Sequence, residues 1–127
     1  MADTTEWQTL IAMVSGDDMT AGRLLKSASG WKENTYGKES NGVDAFGFAV
    51  LPSGYREAHG ETIPSSGGVG GMTKIWTATD WNTDLSEYSK NDNGGLAYYY
   101  TMNNGSDGMG NNLDYKASAY PVRCVKD

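Results

Sequence analysis

The chain has 127 residues and a net charge of −6, from 16 acidic and 10 basic side chains, with one cysteine and one histidine. That length fits one domain with a single core, and its four Trp, eight Tyr and two Phe carry too much buriable surface for a disordered chain. The basic residues are scattered, five against nine acidic ones up to Pro64 and five against seven beyond it, which excludes an extended nucleic-acid track or an anionic membrane face, and no apolar run approaches the ~20 residues of a bilayer span.

Asp3 followed by Glu6 is a capping-box signature, and Trp7, Leu10, Ile11 and Val14 fall at helical spacing, so a first helix is predicted over Thr4–Val14. Asp17 or Asp18 caps a shorter second helix over Thr20–Lys26, with Ala21, Leu24 and Leu25 inward and Ser29-Gly30 as its stop. Trp31–Asp44 reads as a polar, ordered excursion. Phe46–Leu51 is a short apolar run that predicts a strand, closed by Pro52-Ser53-Gly54, whereas the glycines of Tyr55–Gly71 predict a loop. Strand character returns over Met72–Thr79 and Leu96–Met102, on either side of the acidic, polar stretch Asp80–Gly95. Asn103–Asn112 offers Asn-Gly and Asp-Gly and reads as a hairpin-like connection. A last strand is expected over about Tyr115–Val125, with Pro121 placing part of it at an edge or a bulge and Cys124 serving as a small hydrophobe within it. Two helices followed by several short, mainly antiparallel strands with long ordered loops is an α+β order, not a βαβ one.

Five strings then occur in a fixed order: Trp7 within Thr-Glu-Trp-Gln-Thr-Leu, the stretch Gly22–Trp31, the stretch Gly42–Arg56, Ile75-Trp-Thr-Ala-Thr79, and Pro121–Asp127. In that order they resemble the Fibrobacter succinogenes major paralogous domain, a family of secreted or surface proteins of Bacteroidota, Fibrobacteres and related bacteria. The resemblance covers nearly all of residues 1–127 as one domain and departs at Ile75-Trp76, where members usually carry an aromatic pair. It implies a C-type-lectin-like fold, distantly like that of formylglycine-generating enzymes, and a usual first strand that is missing ahead of Thr5. The cysteine carried by that upstream stretch is then the implied disulfide partner of Cys124. It also implies an extracellular or cell-surface location, outer-membrane-attached through parts outside this chain. It assigns no biochemical activity.

Among site candidates, aromatic rings beside amide-rich loops stand out, because a ring stacks on the apolar face of a sugar or on a protein partner while amides and carboxylates bond its polar groups. Trp31, Tyr36, Tyr55, Trp81, Tyr88 and Tyr100 have this setting. Trp7, Trp76 and Tyr98 read as core, and for Trp31 and Tyr36 the resemblance suggests packing under a loop, so Trp81, Tyr88 and Tyr100 rank ahead as surface rings. With Asp92, Asn93, Asn104 and Asp107 they form one expected ligand-binding patch, built from the Asp80–Gly95 and Asn103–Asn112 loops. Asp80, Asn82 and Asp84 place oxygen donors at alternate positions, but Leu85 and Asn91 stand where a calcium loop needs Gly and Glu, so no metal and no cofactor is expected. His59, between Glu57 and Glu61, reads as an exposed loop histidine. Strand alternation separates Cys124 from Arg123, which disfavours an activated thiolate. The expected function is a non-enzymatic surface binding or adhesion module for a glycan or surface protein. The alternatives are an assembly module that self-associates through a sheet edge, or a hydrolase using a pair drawn from the loop carboxylates Glu33, Glu57, Asp80 and Asp92.

Overall fold

The computed structural model describes residues 1–37, 39–57, 65–81 and 95–126. Helix α1 spans Thr4–Val14, and both capping-box bonds are present: Glu6 N donates to Asp3 Oδ1 at 2.8 Å and Asp3 N to Glu6 Oε2 at 2.9 Å. Helix α2 spans Asp18–Leu25, and Asp17 supplies the cap by accepting from Met19 N and Thr20 N. The sheet contains β1 (Ser53–Glu57), β2 (Ser65–Val69), β3 (Met72–Asp80), β4 (Leu96–Asn103) and β5 (Gly110–Tyr115) in the order β2-β1-β3-β4-β5. Pairing is antiparallel except where β1 meets β3 in parallel at Gly54 and Thr73. The helices cover one face of the sheet. Trp7 and Ile11 of α1 and Leu25 of α2 pack there with Ile75, Tyr100 and Met102, and Trp7 stacks on Tyr100 at 5.2 Å between ring centroids.

Three expectations about strands fail, each for a local reason. Phe46–Leu51 is not a strand. Asp44 and Ala49 both hold positive φ, Asp44 Oδ1 accepts from Ala49 N at 2.7 Å, and only Val50 bridges, to Lys26. The side-chain acceptor closes a tight turn that outcompetes a ladder. The glycine-rich stretch, expected as a loop, instead supplies β1 and β2. A Cβ on Gly54 would lie 2.5 Å from Gly67 O, and one on Gly68 would lie 2.8 Å from the Tyr55 ring, so the glycines permit close strand contact. The final strand is β5, whose first half, Gly110–Asn112, belongs to the stretch expected as a hairpin-like connection. Asn112 and Asp114 side chains take up the amides of Leu113 and Tyr115, a local arrangement that suits a polar edge strand. Beyond it Lys116–Tyr120 folds back, Val122 only bridges Trp76, and Cys124 is an exposed free thiol, not a strand hydrophobe.

Candidate functional site

The described members of the expected binding patch do not form one surface. Tyr88, Asp92 and Asn93 lie outside the described residues, as do Asn82, Asp84, His59 and Glu61. Trp81 is half-buried beyond Asp80, which pairs with Ala97, whereas Asn103 pairs with Met72 at the other end of the same ladder. Six residues of strand separate the two ends, ~20 Å at about 3.4 Å per residue, so Trp81 shares no patch with Asn104 or Asp107. Tyr100 is a correction: only 3% exposed, it is a core ring under Trp7. Its even position on β4 points it toward the helices, while Tyr99 takes the opposite face. Asp80 pairs with Lys116 at 3.0 Å and Glu57 pairs with Lys74. With Glu33 at the Asn104 end, the described loop carboxylates are held apart.

What does assemble lies at the Met72–Asn103 end and is organised by a buried cation. Lys26, the C-cap of α2, is fully buried, and its Nζ donates to the carbonyls of Ser40, Asn103 and Ser106 at 3.0, 3.1 and 3.1 Å. The three donors of the ammonium thereby pin the 31–44 excursion and the β4–β5 connection to the helix. The ammonium also lies 5.0 Å from the centre of the Trp31 ring. Burial pulls the Lys26 pKa down, and Asp107 and then Glu39 pull it back up. Trp31 is buried, with Nε1 donating to Ser27 Oγ and Val50 O.

Around this clip the loops form a polar cleft of about 380 Å³ lined by Trp31, Glu33, Asn34, Glu39, Ser40 and Asn41. Asn34 Nδ2 donates to Ser40 Oγ at 2.8 Å and to Asn104 O at 2.7 Å, and Asn104 Nδ2 donates to Lys32 O at 3.0 Å. Asn104 therefore acts as a brace between loops. Tyr36 stands beside the cleft at 76% exposure, its ring against Gly105, where a Cβ would sit 3.1 Å from it. Packing under a loop thus describes Trp31 but not Tyr36, which is the exposed ring at this end.

The sheet face turned away from the helices holds a second cluster that was not anticipated. Lys74 pairs with Glu57 and lies 4.2 Å from the Tyr55 ring centre, 5.2 Å from that of Tyr99 and 5.4 Å from that of Tyr120. Trp76 stacks on Tyr120 at 4.5 Å, and the Tyr120 hydroxyl donates to Asp114. The parity shared by Lys74 and Trp76, opposite to Ile75, was the available signal that β3 has two covered faces. Burial raises the pKa values of Tyr99, Tyr100 and Tyr120, and for Tyr120 the bond to Asp114 adds to the rise. A tyrosine kept protonated by the fold contributes stability that is intact below its unfolded pKa near 10.0 and is lost as pH climbs toward the folded value. Lys26, shifted down, acts in the opposite sense, adding stability as pH rises toward 10.5. The lysine contribution is complete once pH passes 10.5, so above that value the tyrosines alone set the slope and stability should fall. Chemical denaturation across that range should show the fall, and Tyr120→Phe should make it shallower.

The architecture is that of an α+β domain with a two-helix layer on a five-stranded, mainly antiparallel sheet and a loop-built polar cleft at one end. The family model of the Fibrobacter succinogenes major domain matches residues 1–126, and the chain belongs to that bacterial family. Neither a curated protein nor a solved structure matches the chain.

Proposed function

We propose that this domain is a non-enzymatic binding or adhesion module acting outside the cytoplasm, and that it contacts neutral glycans through the cleft beside Tyr36. The supporting observation is an exposed aromatic ring next to a polar cleft of about 380 Å³, a volume within the usual range for small-ligand sites. Glu33, Glu39 and Asn41 offer acceptors and an amide to sugar hydroxyls, while the paired negative charges disfavour acidic sugars. The C-type-lectin-like relationship implied by the sequence strings belongs to this proposal, as do the surface location and attachment through other parts of a longer protein.

Tyr36→Ala should abolish binding of neutral oligosaccharides on a glycan array, a loss of tenfold or more in affinity, with an unchanged far-UV circular dichroism spectrum because the side chain is exposed. Unaltered binding by that variant would remove the reading. A second reading, hydrolysis, draws on Glu33 and Glu39 lining the same cleft. It requires that bound oligosaccharides be cleaved and that Glu33→Gln and Glu39→Gln stop cleavage while leaving binding in place. Assembly through a sheet edge is weaker at β5, where two amides bond to the strand's own side chains.

A further inference from the structure

The cleft at the Tyr36 end is lopsided in the polar groups it leaves to a ligand. Its positive charge is turned inward, because the Lys26 ammonium is fully buried and its three donors are taken up by Ser40 O, Asn103 O and Ser106 O. The amide of Asn34 is taken up by Ser40 Oγ and Asn104 O, and Trp31 Nε1 by Ser27 Oγ and Val50 O. Lys32 lays its side-chain stem over Gly70, where a Cβ would stand 2.6 Å from Lys32 Cε. Among the described residues, the lining of the cleft therefore contains no cation and two carboxylates, those of Glu33 and Glu39.

The two carboxylates are not equivalent. Glu39 Oε1 accepts from Asn41 N at 3.3 Å, and Glu39 is one of the two acids whose charge acts on Lys26, so part of its field is already answered from below. Among the described residues the Glu33 carboxylate has neither a hydrogen bond nor an ion pair, and only its backbone carbonyl is engaged, by Asn104. The exposed ring beside the cleft is held in place. Tyr36 N donates to Asn34 Oδ1 at 2.9 Å, and the ring rests against Gly105, which has no side chain to displace it. A ring positioned in advance loses little freedom on binding, and its open face attracts a cation as well as the apolar face of a sugar.

We infer that this cleft selects, among sugars, those that carry a protonated amine in place of a hydroxyl, with the ammonium paired to Glu33 and the sugar ring lying on Tyr36. The inference rests on the glycan reading of the same cleft and names the sugar class it takes. A hydroxyl can donate to Glu33 as an ammonium does, but only the ammonium brings the charge that makes the bond a strong one. An acidic sugar would meet the same two carboxylates with the wrong sign.

The test is NMR titration of the domain with cellobiose and with the matching β-1,4-linked glucosamine disaccharide, which differ by a hydroxyl against an ammonium at C2 of each ring. Both should shift the Tyr36 and Gly105 amides, and the glucosamine form should bind about fivefold tighter at low salt, as suits a charge pair at an exposed site. That ratio should shrink in about 0.5 M salt, and N-acetylation, which removes the charge, should return the affinity to the cellobiose level. Glu33→Gln should bring the ratio to about one, and Glu39→Gln should lower it less. Cellobiose shifts at Tyr36 and Gly105 with no gain for glucosamine would overturn the amine preference and leave the glycan reading standing, whereas no shift there with either sugar would overturn both. The preference also falls if Glu33→Gln leaves the ratio unmoved or if the glucosamine shifts centre outside residues 31–41. It falls too if acetyl-lysine-amide matches the glucosamine affinity at the same amides, which would make the cleft a site for a protein cation.

Discussion

Lys26→Met should destabilise the domain by about 2 to 4 kcal/mol, a large share of the ~5 to 15 kcal/mol that holds a domain of this kind together. Methionine fills much of the volume and relieves the cost of burying a cation. Set against that relief, three carbonyls, those of Ser40, Asn103 and Ser106, lose a charged donor at once. Each such bond contributes roughly 1.5 to 3 kcal/mol, so the loss exceeds the gain. Because those carbonyls belong to two different loops, the variant should also loosen the Glu33–Asn41 cleft before it unfolds the helices. Thermal denaturation should show a midpoint lower by roughly 5 to 15 °C. Hydrogen exchange should rise first around Ser40 and Asn103. An unshifted midpoint would mean that the lysine is a passenger.

Gly22→Ala is the second large effect, and its sign separates two competing terms. Intrinsic propensity favours alanine over glycine inside a helix by about 1 kcal/mol. Here the added Cβ would stand 2.2 Å from Gly108 O and 2.9 Å from Asp107 O, both backbone atoms, while Arg23 N holds Asp107 O at 2.8 Å. Neither side can yield without breaking that bond, so overpacking of about 2 to 3 kcal/mol should win and the net change should be destabilising. Urea unfolding measures it, and a stabilised variant would show that α2 does not pack so closely on the β4–β5 connection. A similar contact occurs at Gly42, where a Cβ would meet Lys26 O at 2.2 Å.

These positions explain what the family strings encode. Gly22, Lys26, Trp31 and Gly42 sit at the places where α2, the 31–44 excursion and the β4–β5 connection touch backbone to backbone or share a buried donor. The strings specify how long loops are fixed, which is why they identify a family and a fold without naming an activity.

Much of the fold is legible because its signals are local. Asp3, Glu6 and Asp17 mark helix starts through bonds within three residues, and the apolar faces of β3 and β4 follow strand alternation. The remaining strands escape notice because their causes are remote. The glycines of β1 and β2 are dictated by Tyr55 and by the facing strand, and β5 is polar because its own Asn112 and Asp114 satisfy its amides. The site is less legible still. Tyr98, Tyr99 and Tyr100 are chemically alike, and only their parity relative to helices elsewhere in the chain separates the Trp7 stack from the Lys74 cluster. Tyr36 becomes the exposed ring at the cleft through its contact with Gly105, a position far away in sequence. Trp81 and Asn104 are both beside loops, yet the β3–β4 register sends them to opposite ends.

The most direct test of the cleft as a recognition surface is amide NMR mapping during titration of the domain with neutral oligosaccharides. Shifts should concentrate in residues 31–41 and 103–108, with Tyr36 and Gly105 among the largest. Shifts centred instead on Trp81 and Leu96, or none at saturating sugar, would contradict it.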